Sequence, residues 1–259
     1  MLHEMEVFRS ISRVQVGPEG GVARNDQVAV EEPLEIRLDG HPVAVVMRTP
    51  GHDKELAAGF LVTEGIISNI KELRKMEPRY EENRVLVFLQ DSVSVDLGRL
   101  TRHLFTGSSC GLCGKATLDA IFTDSAPIEQ HLEISDAVFL KAPQELRRAQ
   151  EAFDSTGGLH AAGIFSVEGE LVISREDIGR HNAVDKVVGH ALLHGIELRD
   201  KFLLVSGRLS FEIMQKSLAA RIPAVAAISA PSSLAVEFAK KSGQTLIGFL
   251  RPPTFNRYT

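Results

Sequence analysis

The only two cysteines of the chain, Cys110 and Cys113, stand in the stretch Ser-Ser-Cys-Gly-Leu-Cys-Gly-Lys from Ser108 to Lys115. A Cys-x-x-Cys pair can be half of a tetrahedral zinc site, a redox dithiol or a nucleophile that carries a group. Zinc needs two more ligands, and there is no second cysteine pair. His103 and His131 do not make a closely spaced His pair, and His190 and His194 share one face of an amphipathic helix pattern. Ligand counting therefore argues against a structural zinc. A zinc deaminase would show His-x-Glu followed by Pro-Cys-x-x-Cys. Here His160-Ala161-Ala162 lacks the glutamate and comes after the cysteines, so identity and order both fail. A phosphate-cradling P-loop would need Gly at position 109 and Ser or Thr at 116, where Ser109 and Ala116 stand.

Thiol chemistry remains. The glycines after each cysteine keep the loop open, and Lys115 with the start of a helix over "KATLDAIF" favours thiolate. A thiolate can exchange with a disulfide or accept a sulfane sulfur as persulfide, and the residues alone leave both open.

The elements around this loop are legible from periodicity. "SRVQV", "QVAVEEPLEIRL" and "HPVAVVMRT" alternate as half-buried strands do, with Asp39-Gly40 as a hairpin turn. "GHDKELAAGFLVTEG" predicts a helix with Leu56, Gly59, Phe60 and Val62 inward and Gly65 as its stop. His52 and Asp53 at its start fit capping or pocket-lining roles. "NRVLVFLQ" predicts a strand within an otherwise polar, irregular stretch from 68 to 105. From 106 the pattern changes. Two apolar segments meet across Glu168-Gly169, and helices over "NAVDKVVGHALLHG", "RLSFEIMQKSLAAR" and "APSSLAVEFAKKSG" alternate with the apolar strands "KFLLVSG", "PAVAAIS" and "QTLIGFL". This alternation predicts a parallel sheet covered by helices, and hence a small α+β unit over 1–105 followed by an α/β unit over 106–259.

In such sheets ligands bind at the carboxyl ends of the strands. Ser206, Gly207 and Arg208 follow one strand, Ser229 to Ser233 the next, and Arg251 with Pro252-Pro253 the last, while Gly179, Arg180, His181 and Asn182 open a helix. Small residues admit a ligand to the backbone, helix N-termini offer free N–H groups, and Arg180, Arg208 and Arg251 would converge on an anion. The expectation is a pocket for a phosphate-bearing ligand. His181 and Asp177 are candidates for proton movement or for capping.

A net charge of −5 and a pI near 6.0 argue against nucleic-acid binding. The first residues, "MLHEMEVFRSISRVQV", show no basic segment followed by an apolar run, and no apolar stretch approaches the ~20 residues of a membrane helix. Two cysteines are no disulfide framework. The expectation is a cytoplasmic protein with no membrane partner.

The blocks "RTPGHDKELAAGFLVTEGII", "SSCGLCGK", "TGGLHAAGIF", "REDIGRHNAVDKVVG", "SGRLSFEIMQK", "IPAVAAISAPSSLAVEFA" and "TLIGFLRPPTFNRYT", in that order from about residue 30 to the C-terminus, resemble the FdhD family. These are the formate dehydrogenase accessory sulfurtransferases. The resemblance implies a cytidine deaminase-like α/β/α domain with a smaller N-terminal domain, and a homodimer. It implies that sulfur passes from a cysteine desulfurase to bis-molybdopterin guanine dinucleotide, the cofactor that formate dehydrogenase then receives; GDP-like nucleotides would mimic that cofactor. Carried over by position, Cys110 takes the persulfide and Cys113 is a relay or resolving thiol. The cofactor-binding segment falls on Phe249, Leu250, Arg251, Pro252, Pro253 and Thr254, and the phosphates match the pocket of Gly179, Arg180, His181, Ser206, Gly207, Arg208 and Ser229. A cofactor-binding chaperone without sulfur transfer and a Cys110–Cys113 dithiol oxidoreductase stay open beside this reading.

Overall fold

The computed structural model describes residues 6–93, 95, 126–129 and 132–259. Both cysteines, Lys115 and the boundary expected near residue 105 lie outside the described residues.

The chain begins with a two-stranded antiparallel arm, β1 (Phe8–Gly17) and β2 (Gly20–Ala29). Next come β3 (Glu32–Leu38) and β4 (His41–Arg48), joined by Asp39 and Gly40 at φ 46° and 85°. Positive φ at both residues is the type I′ hairpin that Asp-Gly announces. β5 (Leu73–Arg79) and β6 (Arg84–Leu89) complete a four-stranded sheet in the order β4-β3-β6-β5. The segment "QVAVEEPLEIRL", expected as one strand, is two: its first half ends β2 and its second half is β3, in different sheets. β5 was hidden in the polar stretch because Arg74, Lys75, Glu77 and Arg79 carry an edge strand paired on one side only.

Helix α1 (Asp53–Thr63) packs on the inner face of this sheet, and Gly65, at φ 71°, follows its end as expected. Phe60 is only partly buried; the inward face instead runs through Leu56, Ala57, Leu61 and Val62.

After α2 (Asp136–Arg148) and α3 (Glu151–Thr156) comes the larger sheet. It comprises β7 (His160–Ser166), β8 (Leu171–Asp177), β9 (Lys201–Val205), β10 (Ala224–Ala227), β11 (Thr245–Arg251) and β12 (Thr254–Arg257), in the order β12-β11-β10-β9-β7-β8. Helices α4 (Arg180–His194), α5 (Phe211–Ala219) and α6 (Ser233–Ser242) alternate with its later strands. The expectation of a parallel sheet holds for β9, β10 and β11, and is corrected at the flanks: β7 runs antiparallel to both β8 and β9, and β12 antiparallel to β11. The sheet is mixed because its first two strands form a hairpin.

Its inner strands, β7 and β9 to β11, are largely apolar because both faces are covered. On one face Phe139, Ala142 and Leu146 of α2 meet Phe165, Phe202, Leu204, Ala226, Ile247 and Leu250. On the other, Ile164, Leu203, Val205, Val225 and Leu246 share one continuous core with α4, α5, α6, α1 and the four-stranded sheet. The closest approach in this core is the crossing of α1 and α4. A Cβ on Gly59 would lie 1.7 Å from the Asp185 carbonyl oxygen, and one on Gly189 would lie 1.8 Å from that of Glu55. Only glycine permits such backbone contact.

Candidate functional site

The ends of β9, β10 and β11 and the start of α4 lie along one edge of the larger sheet. β9 leads into Ser206, Gly207 and Arg208, and α5 begins only at Phe211, so the expected helix over "RLSFEIMQKSLAAR" opens with an irregular turn. That turn is stitched to the next strand end: Ile228 N donates to Val205 O (3.1 Å), Leu209 N to Ala230 O (3.1 Å) and Ser232 N to Leu209 O (2.9 Å). β11 joins the same rim through Phe249 N to Ser229 O (3.0 Å) and Arg251 Nε to Ile228 O (3.0 Å). Ser206 ties the rim to β7: its N–H donates to Ala161 O (2.9 Å), and its hydroxyl accepts from Ala161 N (2.9 Å).

The start of α4 is held by Asp177, which is fully buried at the end of β8. Its Oδ1 accepts from Gly179 N (2.8 Å) and Asn182 Nδ2 (2.9 Å); its Oδ2 accepts from Thr49 N (3.2 Å) and lies 2.7 Å from Lys186 Nζ. Lys186 also donates to Thr49 O (2.9 Å), and Asn182 to Met47 O (2.7 Å). Asp177 therefore anchors the β8–α4 turn to the loop after β4, with no oxygen left for proton transfer. Gly179 is bare for the same reason: a Cβ there would be 2.7 Å from Asn182 Nδ2.

Arg180, the first helical residue of α4, is half-buried, and its Nε has no hydrogen-bond partner among the described residues. His181 faces Ser210, the residue before α5, at 3.4 Å. Burial, then the Arg180 and Lys216 charges, push its imidazole down to about 4, so it is neutral at physiological pH. His160 opens β7 directly opposite Asp177. Burial and the charges of Arg180 and Arg208 lower its basicity, with Asp177 acting in the other direction.

Beneath the rim lies a buried ionic cluster. Lys216 of α5 donates to both Asp185 oxygens (3.0 Å each), to Thr63 Oγ1 (2.9 Å) and to Glu64 Oε1 (2.9 Å). Burial pushes the Asp185 carboxyl up while Lys216 opposes this; the lysine itself is raised by its two carboxylates against burial. The cluster joins α1, α4 and α5 and leaves the helix starts above it fixed.

Of the residues expected in the pocket, Gly179, Arg180, His181, Ser206, Gly207, Arg208 and Ser229 share this rim. Arg180 and Arg208 both act on His160, whereas Arg251 stands two strands from β9, its Nε on a backbone carbonyl. Within β11, Phe249 adopts a left-handed conformation (φ 51°) and is 40% exposed; Pro252 and Pro253, between β11 and β12, and Thr254, which opens β12, are exposed. Leu250 is fully buried in the core under α2, so its side chain serves packing and does not reach the rim. Asp53 is equally removed from the rim, sealed in a two-point ion pair with Arg48 (3.0 Å at each contact). Asp177 holds the helix start, as one of its two expected roles; His160, Thr49 and Lys216 are the residues whose part sequence reasoning missed.

A cleft of about 420 Å³ lies elsewhere, beside the root of the arm. Much of its polar lining is already engaged: Glu176 accepts from the N–H groups of Ala152 and Phe153, Arg175 pairs with Glu55, and Lys186 with Asp177. Among the described residues no group of His, Cys, Asp and Glu is arranged to hold a metal ion, and no helix is long and apolar enough to cross a membrane.

The profile of the FdhD/NarQ family matches residues 29–259. The chain belongs to that family. The "Sulfur carrier protein FdhD" of Streptomyces avermitilis is 48% identical, over 96% of this chain and 92% of the relative. The protein of the same name from Mycobacterium tuberculosis is 47% identical, over 92% and 91%. The one from Thermoplasma volcanium is 40% identical, over 100% and 95%. A crystal structure from Desulfotalea psychrophila, described as that of a formate dehydrogenase accessory protein, superposes with a TM-score of 0.81 at 26% identity, covering 98% of this chain and 97% of that one. The FdhD/NarQ assignment thus spans the four- and six-stranded sheets and the rim along the edge of the larger one.

Proposed function

We propose that this chain carries sulfur to a nucleotide-bearing molybdenum cofactor, bis-molybdopterin guanine dinucleotide, before formate dehydrogenase receives it. The observation that carries the reading is the rim. Arg180, its buried Nε without a hydrogen-bond partner among the described residues, stands near Arg208 on an edge of small residues, in a chain whose relatives are named sulfur carriers. A guanidinium held without a carboxylate suits a phosphate, which it can bind through paired N–H groups.

Cys110 is the sulfur acceptor. Its thiolate attacks the outer sulfur of a cysteine desulfurase persulfide; one S–S bond forms as another breaks, and the desulfurase leaves as thiolate. Cys113 is the relay or resolving thiol. The cofactor is the substrate, and the rim holds its diphosphate so that delivery proceeds at high effective concentration. We further read the six-stranded sheet with its helices as cytidine deaminase-like, the chain as two units over 1–105 and 106–259, and the protein as a cytoplasmic homodimer. His160-Ala161-Ala162 in place of His-x-Glu leaves such a fold without the deaminase acid/base.

The test is intact-protein mass spectrometry after incubation with a cysteine desulfurase and cysteine. The expected result is a reducible gain of one sulfur atom, absent from Cys110→Ala. No gain, or an equal gain in Cys110→Ala, refutes the assignment of Cys110 as carrier.

A further inference from the structure

The ring of His160 lies against Gly207. A Cβ added there would come within 3.3 Å of Nδ1, 3.5 Å of Cε1 and 3.7 Å of Arg180 Cβ. The bare glycine is what lets the imidazole stand beside the start of α4. Among the described residues no hydrogen bond joins either ring nitrogen, and the neighbouring Arg180 Nε is buried with no partner there either. Buried polar groups are ordinarily satisfied, because leaving one unpaired costs about 1–3 kcal/mol. The unpaired Arg180 nitrogen and a half-buried imidazole from another element, set around one glycine on the ligand-binding edge of a sheet, are an arrangement that a ligand completes.

Resting on the reading of this rim as a phosphate site, we propose that His160 is a ligand contact there, the third arm beside Arg180 and Arg208, and that seating an anion draws a proton onto its ring. The charged groups facing the imidazole are Asp177 on β8, Arg180 on α4 and Arg208 in the turn after β9. With the site empty, the two guanidiniums and burial disfavour the imidazolium. A phosphate carrying a charge of about −2 placed among them reverses the local field. The protonated ring then donates a charge-assisted hydrogen bond to the phosphate. No covalent bond changes, and the single proton comes from solvent. Because the bound form holds the proton more tightly, binding is favoured at low pH and weakens as pH rises through the bound-state value. The steepest dependence is about tenfold in affinity per pH unit.

The test is calorimetry of the full chain with GDP as probe, between about pH 6 and 8, where a histidine titrates. Each pH is measured in two buffers of different ionisation enthalpy, for wild type and His160→Gln. The terminal phosphate of GDP releases its own proton near about pH 6, and this contribution is common to both proteins. The expected result is that wild type takes up a substantial fraction of a proton more than His160→Gln, whose affinity loses its rise toward acid pH. Gly207→Ala, which presses on the ring by a few tenths of an ångström, should shift both quantities the same way by less. Equal proton counts and parallel pH profiles in wild type and His160→Gln would overturn the role of His160 while leaving the phosphate site standing. No GDP binding by wild type would overturn both. Should His160→Gln fail to fold, the imidazole proton resonances of wild type decide: a His160 signal whose titration does not move upward on adding GDP sinks the inference.

Discussion

Replacing Gly189 by alanine separates two opposed effects by sign. In a helix free of neighbours, Gly→Ala stabilises by about 1 kcal/mol, because alanine orders the backbone at lower entropic cost. In this fold the new methyl would sit 1.8 Å from the Glu55 carbonyl oxygen and 2.6 Å from Gly59 N. Real Cβ contacts do not fall below 3.0 Å, so α1 and α4 must part by at least about 1.2 Å. The obstacle is backbone in mid-helix, and no side-chain rotation relieves it. A gap of this size forfeits about half or more of the dispersion energy across the crossing, where Leu56, Leu61, Val184 and Val188 pack. Overpacking in ordinary cores costs about 1–3 kcal/mol through strain alone. With the lost contacts added, a destabilisation of about 3–5 kcal/mol is expected. Urea denaturation followed by circular dichroism measures it as a fall in midpoint at unchanged slope. Gly59→Ala should behave alike, and the double variant should cost less than the two together, since a single separation of the helices relieves both clashes. A Gly189→Ala protein as stable as wild type, or more so, would refute the backbone contact.

Lys216→Met leaves Asp185 buried without its cation and should cost about 3–5 kcal/mol, and adding Asp185→Leu should restore much of that, as thermal unfolding of the three proteins will show. At Glu55, burial raises the carboxyl but hydrogen bonds from His52, Arg175 and His190 outweigh it and hold the group well below its usual 4.5. Its contribution is therefore complete above that value and lost as pH falls below it, so the stability advantage of wild type over Glu55→Gln should shrink on acidification; a constant difference would contradict the assignment. Arg208→Gln, at an exposed position, should weaken GDP binding by about tenfold to a hundredfold with no change in melting temperature. Equal loss of binding and stability would mean the residue is structural.

The Asp39-Gly40 turn, the helix stop at Gly65 and the order of strands β9 to β11 were legible because each depends on local chemistry. The direction of β7 was legible in part: the tight Glu168-Gly169 turn requires β7 and β8 to be antiparallel, but nothing in "HAAGIFS" tells which strand lies on its other side. β12 escaped because Thr-Phe-Asn-Arg is short, polar and an edge. The Asp177–Thr49 and Lys216–Thr63 contacts link positions more than 100 residues apart, and a lysine on an amphipathic helix reads as solvent-facing until its partners are known. Leu250 was placed with its neighbours in a run of six, whereas the left-handed Phe249 turns the two side chains to different surroundings.

The crossing of Gly59 and Gly189 also bears on the order in which the protein can be made. α1 is among the first helices to leave the ribosome, yet the surface it must cover belongs to α4, 130 residues further on. At synthesis rates of about 5–20 residues per second, α1 and the four-stranded sheet wait on the order of ten seconds with the Gly59 face of α1 uncovered. The N-terminal half thus emerges as an unfinished layer that later translation completes. Nascent chains arrested before α4 should be protease-sensitive and bound by chaperones, and those arrested beyond it should not.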